Sequence, residues 1–178
     1  EVTKSIQAKG WKLTPIPWCT EGFWIDNPDR RDVGNLLEHH IGKIYVQEAA
    51  SMIPPLVLQP QPGEIVLDMC AAPGSKTTQM GVMMKNQGII VANDYKGDRL
   101  QSLGLNIQRS VLTNAIITLM HGKRFYQFEF DKILLDAPCS GTGTIRKSLK
   151  TISIWNPGMV TKIAKAQKEL IENAFNNL

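Results

Sequence analysis

Ile65-Val66-Leu67-Asp68-Met69-Cys70-Ala71-Ala72-Pro73-Gly74-Ser75-Lys76-Thr77 changes character twice in a short span. The aliphatic run is one that a sheet buries on both faces, and it ends in an acid. A turn of small residues follows, and Ser75 opens a helical pattern. Small residues let a ligand approach the backbone, and the free N–H groups of a helix N-terminus face it. The stretch therefore reads as strand, ligand-cradling turn and helix. The same alternation continues downstream, with strands expected over 64–69, 88–93, 115–119 and 131–135 and helices over 75–85, 98–109 and 157–176. Short strands separated by amphipathic helices are joined by crossovers, so they run parallel and are covered on both faces. The expected fold class is α/β, a doubly wound, mainly parallel sheet. In the last helix Val160, Ile163, Ala164, Leu170, Ile171 and Ala174 form an apolar stripe between Lys162, Lys165, Lys168 and Glu172, which predicts packing by that face.

A chain of 178 residues with 43% hydrophobic content suits one domain with a real core. The net charge of +4 is compatible with an anionic partner, although it is too small to identify one. Cys19, Cys70 and Cys139 form no CxxC pair and no cluster with histidine at metal-ligand spacing, so free thiols, a reducing cytoplasmic setting and no metal are expected. No apolar run is long enough to span a bilayer, and none reads as a signal peptide. The second absence carries little weight, because the sequence opens on Glu1 rather than Met. Before the alternating region, Trp11, Pro15, Pro17, Trp18, Phe23 and Trp24 crowd between turn residues, followed by a polar stretch over 26–32. This density predicts strands and loops packed on the main domain, or a linker from an upstream module. Residues 47–57 read as a short helix that Pro54 and Pro55 should interrupt or end.

Ligands in open α/β sheets sit outside the carboxyl ends of the strands. Ile133-Leu134-Leu135-Asp136-Ala137-Pro138-Cys139 therefore delivers a carboxylate and a thiol to that rim. The plainer reading is a strand and a loop with a structural cysteine. Three nucleotide readings compete for the glycine turn. A phosphate loop needs glycine where Met69 stands, and a dinucleotide fingerprint needs more glycines than Gly74 alone. The third is the S-adenosylmethionine site of a Rossmann-like methyltransferase, which tolerates a Pro-Gly turn. Asp94 supports it, since it follows the second strand where such folds place an acid for ribose hydroxyls. A plain turn acid is its alternative.

Taken together, the Asp68–Thr77 motif, Ala92-Asn93-Asp94 with Arg99, and Leu135-Asp136-Ala137-Pro138-Cys139-Ser140-Gly141-Thr142-Gly143 closely resemble the Sun-type (RsmB/RsmF-like) family of RNA cytosine-C5 methyltransferases. The resemblance extends over Tyr45 to Ile53 and over Gln167-Lys168-Glu169-Leu170-Ile171. Residues 17–24 are similar to the segment that links this family's upstream RNA-contacting region to its catalytic unit. The implied domains are an N-terminal segment over 1–45 and a Rossmann-like methyltransferase unit over 46–178.

By position, the resemblance implies S-adenosylmethionine as cofactor, with Cys70, Ala71, Ala72, Pro73, Gly74, Ser75 and Lys76 along its methionine end. Asp94 then lies on the ribose, Arg99 is a further cofactor contact, and Asp136 lies beside the reactive end and the target base. His121 stands where the family usually has an aspartate near the adenine; it is a cofactor contact or an ordinary loop histidine. In family chemistry a thiolate adds to C6 of cytosine, C5 takes the methyl group, and loss of the C5 proton and of the thiol releases 5-methylcytosine. Such a base must leave its stack. Arg146, Lys147 and Lys150 follow the thiol loop and either hold RNA phosphates or form a solvated basic turn. Transfer RNA is the favoured substrate and ribosomal RNA the alternative, with the protein a monomer.

The family carries two active-site cysteines: the one matched by Cys139, which assists product release, and a nucleophile on the next strand. No residue here matches the second. The sheet is therefore expected to be truncated before its last strands, leaving 131–135 as an open edge. The protein is expected to continue past Leu178, with these 178 residues alone inactive. Two other readings stay open: a non-catalytic module that binds cofactor and RNA, and Cys139 itself as the nucleophile.

Overall fold

In the computed structural model, which describes residues 1–145 and 149–178, the chain begins with α1 (Val2–Ala8) and a hairpin of β1 (Lys12–Ile16) and β2 (Cys19–Asp26). Next come α2 (Leu37–His40), α3 (Ile53–Leu58), β3 (Ile65–Asp68), α4 (Ser75–Met83), β4 (Ile89–Asp94) and α5 (Gly97–Arg109). The last elements are β5 (Ala115–Leu119), β6 (Lys132–Leu134), α6 (Lys150–Ile154) and α7 (Pro157–Phe175). The four later strands form one parallel sheet in the order β5-β4-β3-β6. Leu67 of β3 pairs with Val91 on one side and Ile133 on the other.

Side chains alternate across this sheet and divide its core in two. Val66, Ile90, Ala92 and Leu134 meet Met80 of α4, Met84 just beyond its end, and Leu103 and Ile107 of α5. On the opposite face Leu67 and Met69 meet Phe125, Phe130 and, from α7, Leu170 and Ala174. Helices thus cover both faces, and the doubly wound α/β fold is as expected. β6 lies at the edge of the sheet. α4 stops two residues before its expected end because Lys85 and Asn86 take left-handed backbone angles, φ 53° and 57°.

The N-terminal segment has its own cluster of Ile6, Trp11 and Leu36. α1 is a helix that the strand-and-loop reading overlooks. Beneath it the buried Glu38 carboxylate accepts from Lys9 Nζ at 2.6 and 2.8 Å and from Ser5 Oγ at 2.6 Å, and these bonds pull its pKa down to about 2. Gly42 (φ +73°) joins this segment to the end of α5, where a Cβ would lie 1.7 Å from the Arg109 carbonyl oxygen. Pro54 and Pro55 do not interrupt a helix. A 3-10 turn covers Ala49–Met52, and the prolines fall in the first turn of α3, where no N–H is required.

Candidate functional site

The carboxyl ends of β3, β4 and β6 bring the expected residues together. β3 ends on Asp68, which is 1% exposed and accepts from Thr77 Oγ1 at 2.7 Å, tying the strand to α4 across the turn. Its second oxygen, Oδ1, is buried without a partner. Burial pushes the Asp68 pKa up to about 7, with Asp136 adding to the rise and the Thr77 and Lys76 contacts opposing it. On β4, Asn93 is fully buried. It donates to the carbonyls of Met69 (3.0 Å) and Met120 (2.8 Å) and accepts from Thr118 Oγ1 (3.0 Å) and Met120 N–H (2.9 Å). One side chain thus fixes the ends of three strands.

Asp94 follows and is engaged with the turn itself. Its Oδ2 accepts from the Ala72 N–H at 3.3 Å and pairs with Arg99 Nη1 at 3.1 Å, while Oδ1 accepts from the Lys96 N–H at 3.1 Å. Arg99 also donates to the Ala72 carbonyl. Around the rest of the turn, Ala71 N–H donates to the Asn93 carbonyl at 2.7 Å and Asn106 Nδ2 to the Pro73 carbonyl at 2.8 Å. Gly74 sits at φ +106° at the start of α4, a conformation open to glycine and strained for other residues. From this helix start, next to Ser75, Lys76 Nζ reaches Asp136 Oδ2 at 2.7 Å. With the carboxylate 58% exposed, this pair adds little to stability, and its consequence is orientation.

Cys70, Ala72, Asp94, Tyr95, Arg99, Asp136, Ala137, Pro138 and Cys139 line a cleft of about 230 Å³. That is below the roughly 300 Å³ of sites that enclose a whole ligand, so the cleft suits the reactive part of a larger molecule. Its two thiols differ. Burial pushes Cys70 up to about 12, helped by the charges of Asp94, Asp68 and Asp136, so it stays a thiol at neutral pH. Cys139 is exposed on the rim. His121 lies beside the cleft, its ring 5.8 Å from that of Tyr95. Of the residues expected from sequence to hold phosphates, Lys150 is exposed at the start of α6, whereas Arg146 and Lys147 lie outside the described residues.

Sequence reasoning did not assign roles to Asp68, Asn93, Tyr95 or Gln167. Asn93 had a signal, an amide interrupting an otherwise aliphatic strand, and so did Tyr95, which directly follows the strand-end acid.

A parallel sheet with this turn after its first strand, an acid closing the second, and an acid and thiol beyond the fourth defines a Rossmann-like methyltransferase, a class whose methyl donor is S-adenosylmethionine. Residues 55–178 match the family model described as 16S rRNA methyltransferase RsmB/F, and residues 1–49 match the N-terminal domain of 16S rRNA methyltransferase RsmF. The chain belongs to the RsmB/F methyltransferase family. It is similar to the ribosomal RNA small subunit methyltransferases F of Shewanella loihica (47% identical, 96% of this chain, 37% of the relative) and Shewanella amazonensis (44%, 97% and 38%). The chain thus spans well under half the length of these curated relatives. Among solved structures, a methyltransferase homolog protein from Pyrococcus horikoshii is 37% identical with a TM-score of 0.86, over 99% of this chain and 56% of that one. NSun6 from Pyrococcus horikoshii, solved with SFG, is 31% identical with a TM-score of 0.75, over 82% and 38%.

The residues present fit the methyl donor. Its sulfonium and ammonium groups are cations, and the cleft carries the carboxylates of Asp94 and Asp136, whose field also raises Cys70. Among the described residues no cluster of His, Cys, Asp and Glu is placed to hold a metal, and no helix is long and apolar enough to cross a membrane.

Proposed function

We propose that the protein carrying this chain methylates C5 of a cytosine in small-subunit ribosomal RNA, and that this chain holds the methyl donor and the target base. The observation that carries the reading is one cleft shared by Asp136, Cys139 and, from the turn, Cys70 and Ala72. S-adenosylmethionine, when bound, supplies an electrophilic methyl group. The other steps belong to the chain. The turn and Arg99 hold the donor, and Asp94 braces both. Asp136, oriented by Lys76, faces N3 and the amino group of a flipped cytosine and stabilises the base as C6 is attacked. Cys139 stands on the rim where it can act on the methylated base during release. The attacking thiol is the second family cysteine, which no residue of this chain matches.

Residues 1–45 form an N-terminal segment on the methyltransferase unit of 46–178; Ile6, Trp11 and Leu36 cluster within it, while Ile16 and Cys19 pack on Met52 across the boundary. The names of the relatives support ribosomal RNA over the transfer RNA favoured from the sequence. Labelled methyl transfer by the full-length protein to purified small-subunit ribosomal RNA and to bulk transfer RNA tests the choice. Incorporation is expected in the ribosomal RNA, and incorporation in transfer RNA alone would reverse it.

A further inference from the structure

Gln167 belongs to a motif whose role the reaction leaves open. It lies on the inner side of α7, partly buried, and its Nε2 donates to the Pro138 carbonyl at 2.8 Å. Proline brings no N–H of its own, so at this residue the loop can be held by hydrogen bonding only through that carbonyl. Asp136 is one residue from Ala137, which packs on the α7-side core, and Cys139 directly follows Pro138. The acid is tied to α4 by Lys76 and the proline to α7 by Gln167, so the two reactive side chains flank a segment pinned from two helices.

We propose that Gln167 is a positioning residue that sets the direction of the Cys139 thiol relative to Asp136 by holding the peptide between them. Its place in catalysis rests on the RNA methylation reading above; the tether itself does not. Gln167 is not among the residues that line the cleft. A neutral amide suits the task, because it donates to a carbonyl at any pH and adds no charge beside a cleft whose carboxylates, Asp94 and Asp136, are already paired with Arg99 and Lys76.

Two variants of the full-length protein test this: Gln167→Ala, which removes the side chain, and Gln167→Glu, which keeps its shape but cannot donate while ionised. Both are expected to hold the melting temperature within about 2 °C and cofactor affinity within about twofold, while kcat falls on the order of tenfold to a hundredfold. Lowering the pH toward the ordinary glutamate pKa of about 4.3 returns a donor to Gln167→Glu alone, so its rate relative to wild type climbs while that of Gln167→Ala stays flat. Alkylation of Cys139 by iodoacetamide, followed on its own peptide by mass spectrometry, is expected to be about threefold faster or more in both variants at neutral pH. A kcat within about twofold of wild type in both variants would overturn the proposal, as would a loss matched by equal losses of cofactor affinity and melting temperature. If Gln167→Ala does not fold, the pH response of Gln167→Glu decides. If the wild-type protein methylates no RNA, the methylation reading fails separately, and the alkylation rates decide the tether: faster supports it, unchanged overturns it.

Discussion

Asp68 ends its strand fully buried, with one oxygen bonded to Thr77, and burial of its carboxyl makes it a pH-sensitive point of the fold. Its pKa rises from 3.8 to about 7 on folding. A raised folded pKa means that the stabilising contribution is complete below 3.8 and is lost as pH climbs through 7. Asp68→Asn can still accept from Thr77 and does not ionise. Between pH 5 and 8 the wild-type melting temperature should therefore fall relative to the variant, by the equivalent of on the order of a few kcal/mol; parallel curves would contradict the assignment. Glu38 works in the other window, contributing above 4.5 and losing its contribution as pH falls to about 2. The cysteines give a second measurement. At a pH of about 8, iodoacetamide should modify Cys139 well before Cys70 or the buried Cys19, because Cys70 is pushed up to about 12. Equal labelling of Cys70 and Cys139 would mean that Cys70 is not held in its acidic surroundings.

α7 shows how far the sequence could be read and where it stopped. The helix and its role in packing follow from its periodicity, but the apolar stripe matches the buried face only in part, at Leu170 and Ala174. Val160 and Ile171 are 41% and 54% exposed, while Leu170 and Ala174 are buried. Gln167, Asn173 and Asn177 share the inner side with these two, and their amides donate to the carbonyls of Pro138 and Phe125. A hydropathy pattern scores such amides as solvent-facing, since it cannot know that loop carbonyls await them. The four strands of the parallel sheet are plain for the opposite reason: each is a short, mainly aliphatic run, even though Ile116, Ile117 and Leu119 of β5 stay exposed. Asp136, Cys139 and the glycine turn were legible because strand ends in this class of sheet point at ligands, whereas the Lys76–Asp136 pair joins residues far apart in the chain. Packing by α7 has its own test. Leu170→Ala removes a side chain that meets Phe125 and Phe130 and should destabilise the fold by roughly 2–5 kcal/mol in denaturant titration, with a loss under about 1 kcal/mol contradicting a packed interface.

In the molecule as a whole, the sheet does the positioning and the loops carry the chemistry. β3 and β4 present the turn and Asp94, β6 presents Asp136 and Cys139, and helices on both faces fix the distances between them. The N-terminal segment is fastened to the same frame through Gly42 beside Arg109 and through Tyr45, whose hydroxyl accepts from Asn106 Nδ2 at 3.1 Å; Asn106 also holds the Pro73 carbonyl of the turn. The chemistry proposed for this frame is specific as to atom: the methyl group would go to C5 of cytosine, with Asp136 stabilising the base. The most direct measurement is nucleoside mass spectrometry of small-subunit ribosomal RNA after reaction with the full-length protein, run beside its Asp136→Ala variant. The expected result is 5-methylcytosine as the new methylated nucleoside, formed on the order of a hundredfold more slowly by the variant at saturating S-adenosylmethionine. A methyl group on any other base or atom, or an undiminished rate in Asp136→Ala, would contradict it.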